Sequence, residues 1–211
     1  TSGNCSLGTP SSAEKAANPV ASFSTDNNGV VIQLPAVGTN GTNTLSGTLI
    51  FGINTQTNNQ LSSSATVIPV PATGSQAGYF TASFNGQSLP DSFLDTGSGA
   101  YFFDDNNLPV CTGNSNATEM YCPGNSTSAS QQTLTVSMAG HTVSVNVANA
   151  SYLYQQTTNG LANNVFSNLA GTTGSQLGQS FDFGLPFFFG RTVYTGFAVP
   201  SNTSGPYYAF Q

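Results

Sequence analysis

Short apolar or alternating runs, separated by turn-forming segments, are the feature that most restricts what this chain can fold into. GVVIQL (29–34), TLSGTLIFG (44–52) and ATVIPV (65–70) are typical of strands. The third run is expected at the edge of a sheet, because Pro69 has no N–H to donate to a neighbouring strand. Two later strands are expected in RTVYTGFAV (191–199) and PYYAF (206–210).

Two pairs of neighbouring runs are predicted to form hairpins. The stronger signal joins GYFTASF (78–84) through Asn85-Gly86 to a run that ends in SFLD (92–95), since Asn-Gly is typical of tight hairpin turns. The second hairpin is expected from TLTVSMAG (133–140) and HTVSVNVANA (141–150), with Ala139-Gly140-His141 at its turn.

Helical periodicity is weak, with short candidates only around 104–109, 161–170 and 185–189. Residues 1–18 are small and polar and are predicted to form a tail or linker. The sequence therefore predicts one all-β domain over residues 19–211, with one or two short helices.

The scarcity of charge excludes several classes of partner. The 211 residues include only 2 Lys+Arg and 8 Asp+Glu, for a formal net charge of −6. Two cations cannot neutralise a phosphate backbone or an anionic membrane surface, so neither partner is expected. No apolar run reaches the ~18 residues of a membrane span. So few titrating groups also predict a stability that depends weakly on pH.

The three cysteines point to an oxidising compartment. Cys111 and Cys122 lie close together in a polar, turn-rich stretch and are predicted to form a disulfide. Zinc binding is the alternative, but no third or fourth ligand lies nearby, since the single histidine is His141. Cys5 is left over, which suggests an external partner or a free thiol. The chain is therefore expected to be secreted or periplasmic.

One segment carries the pattern of a reactive site, Phe93-Leu94-Asp95-Thr96-Gly97-Ser98-Gly99. Asp95 follows apolar residues at a predicted strand end, where a rigid strand would hold its carboxylate partly out of water. Backbone N–H groups and the hydroxyls of Thr96 and Ser98 could donate to it. An ordinary turn is the alternative interpretation, because Asp and Gly commonly end strands.

In this segment the sequence resembles aspartic proteases of the pepsin and retropepsin type. Those proteins place a hairpin directly before a hydrophobic-Asp-Thr/Ser-Gly loop, as in GYFTASFNGQSLPDSFLDTGS here. A later hydrophobic-Gly pair threads through that loop in the family, and Phe183-Gly184 in FDFGLPFFFGRTVYTGF resembles it. The resemblance covers roughly residues 19–210. It is closest to the C-terminal lobe of an uncharacterised family of secreted bacterial pepsin-like proteins.

The resemblance implies a single lobe of the pepsin-like acid protease fold, with hairpins, a psi-loop at Phe183-Gly184 and no cofactor. In the family two carboxylates share one proton, because like charges about 3 Å apart cannot both ionise. Asp95 would supply one carboxylate and Thr96 would bond across the lobe interface. Gly97 would let the backbone turn close to the carboxylate, and Ser98 would donate to its outer oxygen.

The chain departs from the family in having one Asp-Thr-Gly loop. Asp91, Asp182 and the Asp104-Asp105 pair lack the hydrophobic strand, Thr and Gly that surround Asp95. The resemblance therefore implies a protein inactive alone, which needs a second Asp-bearing lobe (an N-terminal half or another copy) to cleave peptides or proteins. The alternatives are a catalytically silent binding or assembly module and an extracellular structural protein.

The remaining polar residues have plainer interpretations. His141 is expected to be an exposed turn residue, and Arg191 to form an ion pair with a carboxylate such as Asp182. The segments 26–29 and 104–107 are rich in oxygen ligands but lack the spacing of a calcium loop, so turns explain them and no metal is expected. Phe187, Phe188 and Phe189 are expected in the core.

Overall fold

The computed structural model describes residues 18–112, 117–128, 130–174, 178–200 and 202–211. The predicted tail, with Cys5, lies outside these residues except for Asn18. The strands that the structure describes are β1 (Gly29–Gln33), β2 (Thr48–Phe51), β3 (Thr66–Pro69), β4 (Phe80–Phe84), β5 (Gln87–Leu94), β6 (Tyr101–Phe102), β7 (Gln131–Met138), β8 (His141–Ala148), β9 (Thr157–Thr158), β10 (Leu161–Ala162), β11 (Ala170–Gly171), β12 (Asp182–Phe183), β13 (Thr192–Gly196) and β14 (Tyr207–Phe210).

Most of these strands belong to two sheets, and the all-β prediction is confirmed. A five-stranded sheet has the order β2-β1-β13-β14-β3, and its neighbours are all antiparallel. A seven-stranded sheet has the order β11-β6-β12-β5-β4-β7-β8. The strand β3 with Pro69 lies at the edge of the first sheet, as predicted.

The two predicted hairpins are present as β4–β5 and β7–β8. Asn85 and Gly86 have φ values of 48° and 75°, and Ala139 and Gly140 have φ values of 48° and 91°. Positive φ at both central residues is the requirement of a type I′ turn, whose twist matches that of the two strands. The Asn85-Gly86 turn thus sets the pairing of β4 with β5, and β5 leads into the Asp95 loop.

Two of the three helix predictions are wrong. Residues 104–109 form turns, and the 161–170 segment contains β10 and the start of β11. The 185–189 prediction is confirmed as a 3₁₀ helix at Leu185–Phe188. The structure adds a 3₁₀ helix at Pro19–Ser22 and one α-helical turn, α1 (Ala150–Leu153).

The turn α1 was missed because it is too short to show a helical period. Its Asn149 cap accepts a hydrogen bond from the Tyr152 N–H, which satisfies a donor that the helix itself leaves free. None of the helices in the described part of the chain has the length and apolar character that a bilayer crossing requires.

Aromatic rings fill the core beneath the seven-stranded sheet. The Phe181 ring stacks on Phe103 at 4.5 Å and on Phe183 at 4.3 Å, measured between ring centroids. Phe187 and Phe188 are also buried, as predicted, and Phe187 packs edge-on against Phe183. Because Phe183 belongs to β12, this packing holds in place the strand that passes beside the Asp95 loop.

Uncharged amide side chains close several loops. Asn59 is 1% exposed and makes four hydrogen bonds. Its Oδ1 accepts from the N–H groups of Thr55 and Gln56, and its Nδ2 donates to Phe51 O and Thr55 Oγ1. All the hydrogen-bonding capacity of this buried amide is used, as burial requires.

Candidate active site

The Asp95 loop begins where β5 ends at Leu94 and folds back on the aspartate. The Oδ1 atom of Asp95 accepts from the Gly97 N–H at 2.7 Å, and Oδ2 accepts from Ser98 Oγ at 2.9 Å. The backbone N–H of Asp95 donates to Phe183 O at 3.1 Å, which fixes the loop to β12. The carboxylate is half-buried, so the loop orients it without covering it.

The short strand β12 runs between β5 and β6. It pairs parallel with β5, with Phe183 opposite Leu94, and antiparallel with β6, with Asp182 opposite Phe102. A parallel pair on one side and an antiparallel pair on the other mean that the chain threads between two strands already joined by the Asp95 loop. The structure therefore places Phe183-Gly184 against that loop.

Gly184 sits where no side chain fits. A Cβ atom there would overlap the Ala100 carbonyl oxygen and would lie 2.7 Å from the Ser98 carbonyl oxygen. Directly after it, the Leu185 N–H donates to Ser98 O at 2.7 Å. The absence of a side chain therefore lets the backbone after β12 hydrogen-bond to the backbone of the Asp95 loop.

Thr96 and Gly97 form the exposed tip of the loop, and Ser98 is half-buried beneath it. A Cβ atom at Gly97 would lie 3.0 Å from Asp95 Oδ1, so glycine lets the loop curl tightly around the carboxylate. The structure thus brings together Asp95, Gly97 and Ser98 through direct hydrogen bonds and leaves the Thr96 side chain on the surface.

A second carboxyl group, that of Asp182, lies beneath the loop. Its Oδ2 atom is 2.6 Å from Ser98 Oγ, and the residue is 2% exposed. Burial, with a smaller contribution from the Asp95 charge, raises the pKa of Asp182 to about 6, against the opposing effect of the Ser98 hydrogen bond. Within the described residues its Oδ1 has no hydrogen-bond partner.

Sequence reasoning passed over Asp182 because no Thr-Gly follows it. The usable signal was its position directly before Phe183-Gly184. If that pair threads beside the Asp95 loop, the residue before it must also lie against the loop.

A largely apolar cavity of about 340 Å³, whose lining also includes Asn163 and Asn164, opens beside the same loop. Its wall includes Gly99 and Ala100, the residues that directly follow Ser98. The apolar lining is supplied by Phe102, Met120, Phe166 and Leu169. The cavity is thus connected to the Asp95 loop through the backbone of two small residues.

The predicted disulfide between Cys111 and Cys122 is confirmed. Zinc binding by these two sulfurs is therefore wrong, since neither is a free thiolate. In the ranges that the structure describes, no three His, Cys, Asp or Glu side chains come together as a metal site would require.

The structure gives Arg191 a backbone partner and leaves His141 exposed. The Arg191 Nη1 atom donates to Phe187 O at 2.7 Å, and its guanidinium carbon lies 4.5 Å from the centre of the Phe187 ring. The predicted ion pair with Asp182 is wrong, because Asp182 faces Ser98 instead. His141 is exposed at the start of β8, beside the hairpin turn, as predicted.

Comparison with known families gives one match. The family model described as "Protein of unknown function (DUF3443)" matches residues 1–210. No curated protein sequence matches the chain.

Proposed function

Because the chain belongs to the DUF3443 family of proteins of unknown function, we propose its function from the site itself: it is one lobe of an aspartic endopeptidase. Asp95 is one of two carboxyl groups that activate water for attack on a peptide bond. The observation that carries the proposal is the half-buried Asp95 carboxylate, held by the Gly97 N–H and the Ser98 hydroxyl.

The path of the chain around Asp95 supports the finer fold expectation, a single pepsin-like lobe. The hairpin β4–β5 leads into the Asp95 loop, and β12 threads between β5 and β6 with Gly184 against the loop backbone. This is the order of elements that the resemblance implies. The Cys111–Cys122 disulfide supports the further expectation of a secreted or periplasmic protein.

The chemistry needs a second carboxyl group that shares a proton with Asp95. One carboxylate then takes a proton from water while the other, protonated, polarises the peptide carbonyl. Asp182 does not fill this role, because it is 2% exposed and the Ser98 hydroxyl lies between it and Asp95. The second group comes from another lobe, and the exposed Thr96 side chain is free to contact that lobe.

The apolar cavity beside Gly99 and Ala100 suits an apolar side chain of the substrate. The cavity wall includes Gly99, four positions after Asp95, and we propose that a peptide bound over Asp95 extends into the cavity. Burial of that side chain against Phe102, Met120 and Phe166 would help to hold the scissile bond over the carboxylate.

A catalytically silent binding module with the same fold is the second candidate. It would have no need to keep a carboxylate partly open to solvent. The half-buried state of Asp95, which the described residues leave partly accessible, favours the endopeptidase over this alternative and over a structural role.

The test is peptide cleavage between pH 3 and pH 7 by the natural gene product, with any flanking residues, and by the present chain at rising concentration. We expect cleavage only when two Asp-bearing lobes associate, so the rate per mole of the present chain should increase with its concentration. The variant Asp95→Asn should lose activity by a factor of about 10² or more, since it removes an acid–base group.

The matched control is Asp91→Asn. Asp91 lies on β5, the strand that leads into the Asp95 loop. Its side chain accepts a hydrogen bond from Gln76 and not from the loop. The Asp91→Asn variant should keep the activity of the natural protein. Cleavage that survives Asp95→Asn, or a measurable rate per mole from the isolated chain that does not depend on its concentration, would contradict the proposal. A gene product that cleaves no peptide would favour the silent module.

A further inference from the structure

The Ser98 hydroxyl lies between two carboxyl groups. Its Oγ atom is 2.9 Å from Asp95 Oδ2 and 2.6 Å from Asp182 Oδ2, and both distances are those of hydrogen bonds. A hydroxyl group has only one proton to donate. If both carboxyl groups were ionised, one of these contacts would join two oxygen atoms with no hydrogen between them. Ser98 and the two carboxyl groups therefore need one more proton between them, and one carboxyl group must hold it.

Burial decides which carboxyl group holds that proton. Asp182 is 2% exposed and its Oδ1 has no partner among the described residues, so an ionised group there would be poorly solvated. Asp95 is half-buried and receives a second hydrogen bond from the Gly97 N–H, which favours a carboxylate. The pKa of Asp182, raised to about 6, agrees with a proton on Asp182 in acidic solution.

We propose that Asp182 is a positioning residue for Asp95: its protonated Oδ2 donates to Ser98 Oγ, and the Ser98 hydroxyl proton is thereby directed to Asp95 Oδ2. The lobe thus carries its own second carboxyl group, which acts through Ser98 and does not touch the substrate. The consequence for catalysis rests on the proposed endopeptidase function. The hydrogen-bonded unit of Asp182, Ser98 and Asp95 does not depend on that function.

Loss of the Asp182 proton would disturb the site. Two carboxylates would then compete for one hydroxyl proton, and Ser98 would no longer be committed to Asp95. The site should therefore work best on the acidic side of neutrality. One pH unit above the midpoint, only about a tenth of the molecules keep the proton, so activity that depends on it should fall about tenfold.

Among the described residues, the charged group that acts on Asp182 is Asp95. Asp95 and Tyr79 both act electrostatically on Tyr208 of β14, and each raises its pKa. Burial raises the pKa of Tyr208 to about 12, so it stays neutral through the acidic range. The one arginine is bound to Phe187 O.

The experiment is a ¹³C NMR titration of the six aspartate carboxyl groups in the intact, selectively labelled protein. We expect one signal with a midpoint near pH 6 that is missing in Asp182→Asn. That midpoint should shift downward in Asp95→Asn, which removes the neighbouring charge. Asp91→Asn is the control and should leave it unchanged. An Asp182 midpoint near the ordinary value of 3.8, or one that ignores Asp95→Asn, would overturn the inference.

Activity provides a separate measurement. In Asp182→Asn, the amide N–H donates to Ser98 at every pH, so the activity of this variant should not fall tenfold between about pH 5 and pH 7. The activity of Asp182→Ala, which has no donor, should be impaired throughout this range. Cleavage that depends on Asp95, together with an Asp182 midpoint near 3.8, would overturn this inference alone. No cleavage, together with a midpoint near 6 that responds to Asp95→Asn, would contradict the endopeptidase and support the carboxyl–hydroxyl–carboxylate unit.

Discussion

The backbone of Gly184 lies so close to the Ala100 carbonyl oxygen that a side chain at position 184 would overlap it. The atoms on both sides are backbone, so neither can move away without displacing β12 or the Asp95 loop. Gly184→Ala should therefore reduce the free energy of unfolding by at least about 2 kcal/mol, as measured by urea denaturation.

Gly99→Ala is the matched control for this substitution. A Cβ atom at Gly99 would meet nothing within 4 Å, and its backbone does not need a positive φ. This variant should stay within about 0.5 kcal/mol of the natural protein. Equal effects at the two positions would contradict the close approach at Gly184.

The raised pKa of Asp182 gives the folded state a defined pH dependence. Its pKa is about 6 in the folded protein and 3.8 ordinarily, so the folded state binds this proton more tightly than the unfolded chain. The stability from this group is therefore complete below about pH 4 and is lost as the pH rises through about 6. The weak pH dependence expected from composition thus acquires one specific exception.

The measurement is urea denaturation at several pH values between 4 and 7, for the natural protein and for Asp182→Asn. The natural protein should lose stability over this range relative to the variant, because the Asn side chain does not titrate. Asp91→Asn should follow the natural protein. The same pH dependence in all three proteins would rule out this role for Asp182.

The side chain of Asn59 should contribute more to stability than that of its exposed neighbour Asn58. Four hydrogen bonds join its amide to the loop that follows β2, and each is worth about 0.5–1.5 kcal/mol net. Asn59→Ala should therefore cost about 3 kcal/mol or more, because buried backbone groups also lose their partners. Asn58→Ala, at an exposed position, should be nearly neutral. Thermal unfolding of both variants provides the comparison, and similar midpoints would contradict the prediction.

Reduction of the disulfide should lower stability without destroying the fold. Cys111 and Cys122 are separated by 11 positions, and closing a loop of this length stabilises a protein by about 3 kcal/mol in the chain-entropy account. The double variant C111A/C122A should show the same loss with and without reductant, whereas the natural protein should show it only with reductant. A reductant effect that persists in the double variant would contradict this explanation.

Local signals in the sequence were sufficient to predict the hairpins. Asn85-Gly86 and Ala139-Gly140 adopt the backbone that a type I′ turn needs, and the alternating runs on either side pair across it. The Asp95 loop was predictable for a similar reason, since its hydrogen bonds join residues two and three positions apart. Helices were harder to predict, because α1 is set by its Asn149 cap and not by a periodic apolar face.

The position of Asp182 depends on long-range pairing, and this is why sequence reasoning missed it. Ser98 and Asp182 are 84 positions apart, and they meet because β12 pairs beside β5. The wrong expectation for Arg191 has a different cause, because its partner is local. Its nearest partner is a backbone carbonyl in the 3₁₀ helix directly before it, and no count of nearby acidic residues could have indicated this.

The closure of loops by amide side chains has a consequence for the conditions in which this protein stays folded. Mobile ions screen interactions between charges and leave hydrogen bonds between neutral groups almost unchanged. The bonds of Asn59, and those that join Asn28 to Ile53, involve no formal charge. The architecture around them should therefore hold equally well in dilute buffer and in concentrated brine.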